Sequence, residues 1–317
     1  MLYERGTVVS TIWQCAQINA HVAADAVAFI REQNEIYRER VKHVAELLAS
    51  RFSGRGLVLL CGPSASGKTT TAALLQQFLR TLGREAHTVS LDDFYLGRGL
   101  APRLPDGSVD YETVDALNLP LLHQCMDQLL GAGEAALPIF DFHSGCPCEH
   151  MRSLAIDDDS LVILEGIHAL NPRLRQLLAG HEMFTICIGT LSSVYDGDTC
   201  LFNGRELRLV RRLLRDARFR NSPPDNTLDM WRQVVRGEDL YLLPYVGEAD
   251  VTFDTTHAYE PALFSGELLP LLKSVPNDSP YYAQSLQVAK ALGRFSPLLP
   301  SLLPSDSLLR EFVGAPL

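Results

Sequence analysis

The chain has 317 residues, 46% of them hydrophobic and 21% charged, and a formal net charge of −10. That length and apolar content provide for a full core, and the absence of low-complexity tracts and fixed-period repeats argues against extensive disorder or a solenoid. The acidic balance argues against a general nucleic-acid binder, which needs surplus Lys and Arg, so any phosphate chemistry has to use a local basic cluster.

The opening MLYERGTVVS has no basic stretch followed by an apolar run, and no run approaches the roughly 18 apolar residues of a membrane span. A cytoplasmic protein with no membrane partner is expected. Seven cysteines, five of them isolated at Cys15, Cys61, Cys125, Cys187 and Cys200, do not form a disulfide framework. Reduced thiols are expected.

Residues 22–50 read as a helix, with Ile30, Tyr37, Val41, Val44 and Leu48 at three- and four-residue steps before FSGRG breaks the pattern. LVLLC (57–61) reads as a short buried strand, followed by a glycine-containing turn and a helix that closes at Gly83. Further strands are expected at 86–91, 161–166, 183–189 and 250–254, and helices at 115–131, 171–180, 204–217 and 226–237. Alternating apolar strands and helices predict a mostly parallel, doubly wound α/β sheet over residues 54–257. Residues 1–53 form an N-terminal helical segment in this reading. Residues 258–317 form an apolar, proline-interrupted extension that packs on the rest.

The segment GPSASGKT (62–69) matches Gly-x4-Gly-Lys-[Ser/Thr] between a predicted strand and a predicted helix. Gly62, Pro63, Ser64, Ala65, Ser66, Gly67, Lys68, Thr69 and Thr70 are the candidate phosphate cradle. In it, backbone N–H groups and the helix dipole favour bound anions. Lys68 would reach the outer phosphates and Thr69 would ligate Mg²⁺, which implies ATP or GTP with magnesium. Asp92 and Asp93 follow the second predicted strand, where open α/β sheets collect ligands. A carboxylate there orients or deprotonates a hydroxyl, or simply caps a turn. Glu165, closing the third strand, is placed to hold a magnesium-bound water. The run Asp157-Asp158-Asp159 reads as a solvated turn.

In an acidic chain, GRELRLVRRLLRDARFR (204–220) is the dense basic patch. Its arginines suit the stabilisation of a transferring phosphoryl group. The alternative is a solvated face paired with Glu206 and Asp216.

These motifs resemble the uridine kinase-like nucleoside kinases, a group that includes phosphoribulokinase. The resemblance runs through GPSASGKTT, SLDDFY, DYETVDALN, LPIFDF, LEGIHAL and RRLLRDARFR, and the region 227–254 with the tail ending LLPSDSLLREFVG is similar to a bacterial branch. It implies a P-loop kinase fold and ATP-dependent transfer to a hydroxyl, with the 5′-hydroxyl of a nucleoside as the leading acceptor. It also implies a homo-oligomer. Asp92 falls on the family's catalytic aspartate, Tyr95 on a pocket aromatic, and Glu112 on a ribose-binding carboxylate that is usually aspartate. Phe140 and Phe142 fall on pocket aromatics, and Arg212, Arg215 and Arg220 on phosphate-contacting lid residues. Gly145 stands where relatives carry a base-reading His, with His143 or His168 as substitutes. A kinase for another alcohol or sugar remains open, as does a nucleotide-binding regulatory protein without transfer activity. The loop FDFHSGCPCEHM contains His143, Cys146, Cys148 and His150, which read as a substrate-proximal loop, a plain surface loop or a metal site. The one-residue cysteine gap is poorly matched to zinc spacing.

Overall fold

The computed structural model describes residues 3–4, 10–97, 99–105, 107–142 and 144–314. Its central sheet runs in the order Tyr3–Glu4, Val251–Asp254, Met183–Gly189, Gly56–Cys61, Leu161–Glu165 and Ala86–Ser90. All neighbours are parallel except the Tyr3–Glu4 edge. The chain passes from Gly56–Cys61 to Ala86–Ser90 and returns to fill the gap between them. Ser90 and Glu165 are register partners at the ends of neighbouring strands. The strands sort their side chains with period two: Val58, Leu60, Ile163, Ile186 and Ile188 join one core, and Leu57, Leu59, Val162 and Leu164 join the other. Helices therefore cover both faces.

The helices in chain order are α1 (Cys15–Arg51), α2 (Lys68–Thr81), α3 (Leu119–Ala132), α4 (Pro172–Leu177), α5 (Gly204–Phe219), α6 (Pro224–Tyr241), α7 (Glu260–Lys273), α8 (Tyr282–Leu292) and α9 (Arg310–Val313). α1 starts earlier than the expected residue 22 and breaks at Asp25, which has non-helical φ/ψ of −160° and 91°. The Asp25 carboxylate accepts from Ala28 N at 2.9 Å, an N-cap that restarts the helix. The expected helix at 115–131 begins instead at Leu119. Asn118 caps it by accepting from Leu121 N at 3.2 Å and Pro120 occupies its first turn, while residues 114–116 form a separate 3-10 turn.

Tyr37, Val41, Val44 and Leu48 of α1 enter the same core as Leu75 and Leu79 of α2, and the Tyr37 and Thr71 hydroxyls meet at 2.9 Å. That core continues through Leu263 and Phe264 of α7 to Leu308, Leu309, Phe312 and Val313 near the C-terminus. The N-terminal segment, the sheet face and the C-terminal extension thus share one apolar interior. No helix among the described residues is long and apolar enough to cross a membrane.

Candidate active site

The segment from Gly62 to Gly67 turns the chain out of the central strand and into α2. Its tightness has two causes. A Cβ at Gly62 would lie 2.7 Å from the Ile188 carbonyl oxygen, and Ala65 adopts a left-handed φ of 60°. A non-glycine residue in that region is strained by about 1–2 kcal/mol and persists only where its surroundings fix it. Here they do. Thr255 Oγ1 donates to the Ser66 carbonyl at 2.7 Å, Arg211 Nη1 to the Ala65 carbonyl at 3.1 Å, and Arg208 Nη1 to the Ser64 carbonyl at 3.0 Å. Their carbonyls are thus held from behind; Ser66 N donates to Pro63 O at 3.2 Å, while the N–H groups opening α2 precede the first bond of its ladder and are left for a ligand.

The arginines of α5 divide into two sets. Arg208 and Arg211 are buried and pair with the carboxylates of Glu238 (2.5 Å) and Glu260 (2.6 Å). They brace the loop. Arg212, Arg215 and Arg220 share one buried carboxylate, Asp216, at 3.2, 3.5 and 3.4 Å. One negative charge among three guanidinium groups leaves the cluster net positive toward the cleft that these arginines line. Arg212 Nη1 also donates to Ser64 Oγ at 2.9 Å. The patch is not a solvated face, and Glu206 instead forms a capping box with Asn203.

The cleft has a volume of about 1190 Å³ and is lined by Ser64, Ala65, Gly67, Lys68, Thr69, Asp92, Tyr95, Glu112, Phe140, Phe142 and Glu165 together with that cluster. Of the expected residues, Gly62, Pro63, Ser66 and Thr70 belong to the loop and the start of α2 but not to the lining, and Lys68 Nζ donates to Pro63 O at 3.3 Å. Asp92 sits in a 3-10 turn after its strand. Ser90 joins it to Glu165, since Ser90 Oγ accepts from Asp92 N at 3.3 Å and donates to Glu165 Oε1 at 3.1 Å. Burial raises the pKa of both carboxyls, and the Lys68 ammonium opposes the rise. Glu165, with the Thr69 hydroxyl in the same cleft, suits a divalent cation completed by substrate oxygens and water, as Mg²⁺ is usually held. Asp93 does not line the cleft; it accepts from Phe140 N at 3.4 Å and anchors the aromatic wall.

That wall stacks edge to face. Tyr95 lies 5.6 Å from Tyr111 and 5.7 Å from Phe140, and Phe140 lies 5.2 Å from Phe142. Glu112, next to Tyr111 in the chain, packs against Gly237, where a Cβ would lie 2.5 Å from Glu112 Oε2. Burial pushes its carboxyl up to about 7, opposed by Arg212 and reinforced by Glu238, Asp110 and Asp92. Tyr111, Gln233, Arg236 and Glu311 also line the cleft, although the motifs did not single them out.

His168 corrects an expectation. Its 3-10 turn presents Ile167 to the cleft and buries the imidazole against Tyr241, 1% exposed, with the ring centres 6.0 Å apart. Burial lowers its pKa to about 4, so it is a neutral core residue, not a substrate contact. His143 lies outside the described residues. Gly145 lines the cleft with a φ of 69°. Cys146 is exposed on a short two-stranded hairpin, and among the described residues no three His, Cys, Asp or Glu side chains gather to hold a metal.

A model of the phosphoribulokinase / uridine kinase family matches residues 57–260. The uridine kinase of Lactobacillus helveticus (strain DPC 4571) is 27% identical over 213 residues, covering 62% of this chain and 90% of that protein. The uridine kinase of Deinococcus deserti is 28% identical over 210 residues, covering 64% and 89%. The uridine kinase of Mycoplasma genitalium is 29% identical over 180 residues, covering 56% and 75%.

Proposed function

The chain belongs to the phosphoribulokinase / uridine kinase family, and from that premise we propose that it transfers the γ-phosphoryl group of ATP to the 5′-hydroxyl of a nucleoside. The observation that carries this reading is the arrangement of one cleft. Lys68, Thr69, Arg212 and Arg215 stand at its phosphate end, Asp92 and Glu165 at the strand ends, and Tyr95, Glu112, Phe140 and Phe142 beyond them. Asp92 takes the acceptor's proton as the hydroxyl oxygen bonds to the γ-phosphorus and the bond to ADP breaks. Lys68, Arg212 and Arg215 hold the charge of a loose transition state, for which positioning and electrostatics supply most of the catalysis. Mg²⁺ held by Thr69 and Glu165 would neutralise phosphate charge. Glu112 accepts from acceptor hydroxyls, and the aromatic wall supports a planar base.

A panel of nucleosides, sugars and polyols with ATP and magnesium tests the reading. Phosphorylation of uridine or cytidine supports it, and transfer only to acceptors without a base overturns the nucleoside assignment. Asp92→Asn is expected to lower kcat by about 10²- to 10⁴-fold with ATP affinity kept. Unchanged turnover would remove Asp92 from its role.

A second reading, a small alcohol or sugar acceptor, draws support from Gly145. Its left-handed backbone suits glycine, so position 145 itself offers no side-chain donor to a base. The same panel separates the two.

A further inference from the structure

Beyond the family-matched residues the chain returns to the phosphate loop. Leu308 covers Gly67 so closely that a Cβ on the glycine would lie 2.5 Å from Leu308 Cδ1. Glu311 lines the same cleft as Lys68 and Glu165. Its Oε2 accepts from the Thr70 hydroxyl at 2.8 Å, and its Oε1 lies 4.0 Å from Arg215 Nη1. Phe312, fully buried, holds the segment down with its ring centre 5.2 Å from the Arg211 guanidinium carbon.

The first bond of the α2 ladder runs from Thr71 N to Gly67 O at 2.9 Å, so the N–H groups of Lys68, Thr69 and Thr70 have no partner within the helix. They and the Thr70 hydroxyl are the donors that a polyphosphate seeks at a helix N-terminus. Glu311 holds that hydroxyl and lies beside one of the cleft's arginines, and a carboxylate, like a phosphate, only accepts. Two anions cannot both use these groups fully, and their mutual repulsion is strong in a cleft where water is partly excluded.

We propose that Glu311 is a nucleotide-affinity determinant. It is an acidic stand-in for phosphate at the mouth of the cradle, and a bound nucleotide must displace it or bind against its charge. The inference rests on the nucleotide reading of the cleft. It places an affinity-setting residue on a segment outside the family-matched region, which ends at residue 260.

The test is the dissociation constant of MgATP, measured by calorimetry, for the wild-type chain and for Glu311→Gln, Glu311→Ala and Lys68→Ala. Gln keeps the shape and an acceptor for Thr70, while Ala removes both. Charge is lost in each, so both are expected to bind on the order of 3- to 10-fold more tightly, with the gain shrinking at high salt. Equal or weaker binding in both Glu311 variants, with Lys68→Ala weakening binding, overturns the inference and leaves the nucleotide reading standing. Absence of ATP binding to the wild-type chain, unaltered by Lys68→Ala, overturns both.

Discussion

Glu112 is a carboxyl whose ionisation falls near neutrality. Its folded value of about 7 lies above its ordinary 4.5, so ionisation opposes folding. The stability linked to neutral Glu112 is complete below about pH 4.5 and declines as the pH rises through 7. Function has the opposite sign, because the carboxylate accepts more strongly from a donating hydroxyl than the neutral acid does. The acceptor KM is expected to fall between about pH 6 and 8, and Glu112→Gln should abolish that limb in steady-state profiles. A flat wild-type profile would remove Glu112 from acceptor recognition. At this scale, Lys68 and Thr69, tied to a fixed spacing, and Asp92 and Glu165, read from the ends of predicted strands, were legible: all four reach one cleft. His168 was not legible, because the phase of a 3-10 turn decides whether Ile167 or His168 faces inward, and LEGIHAL does not encode that phase.

α5 shows how an element can carry two jobs on one repeat. Arg208, Arg211, Arg212 and Arg215 recur at helical spacing, and their partners separate the bracing pair, held by Glu238 and Glu260, from the cleft cluster around Asp216. The density of charge was visible in the sequence, but the burial was not, since it depends on Glu238 from α6 and Glu260 from α7. Arg211→Met leaves Glu260 charged and unpaired in the core and is expected to cost about 3–5 kcal/mol in urea unfolding. Adding Glu260→Gln should recover a substantial part of that loss; a double variant less stable than the single would contradict the pairing. The strands of the sheet were readable from apolar runs. The hairpin of Ser193–Asp196 and Thr199–Phe202 was passed over, although Asp196-Gly197 with a φ of 59° at the glycine is a turn signal. α7 was not singled out within the proline-interrupted extension; of its own prolines, Pro261 occupies the opening turn and Pro270 lies near the end.

In the whole molecule, both extensions complete the interior of the nucleotide end. Leu308, Leu309, Phe312 and Val313 are each at most 1% exposed. At roughly 1.5–3 kcal/mol per buried apolar side chain, their loss is comparable to the ~5–15 kcal/mol that keeps a typical fold intact. A chain ending at residue 303 is therefore expected to aggregate or to lose cooperative urea unfolding, and a soluble truncated protein that still unfolds cooperatively would refute this. Apolar content in the sequence indicated that the tail packs on something. It did not indicate the phosphate loop as the partner, because that contact joins Leu308 to Gly67 across most of the chain.

That contact also sets an order of events during synthesis. Leu308 and Phe312 are translated about 240 residues after the loop they cover. At ~5–20 residues per second, the loop waits on the order of 10–50 s for its outer wall. During that interval α1, already made, can dock on α2, but Gly67, and Arg211 once it is made, lack their cover from Leu308 and Phe312. The nascent chain therefore passes through a stage in which its phosphate loop exists and the segment that covers it does not.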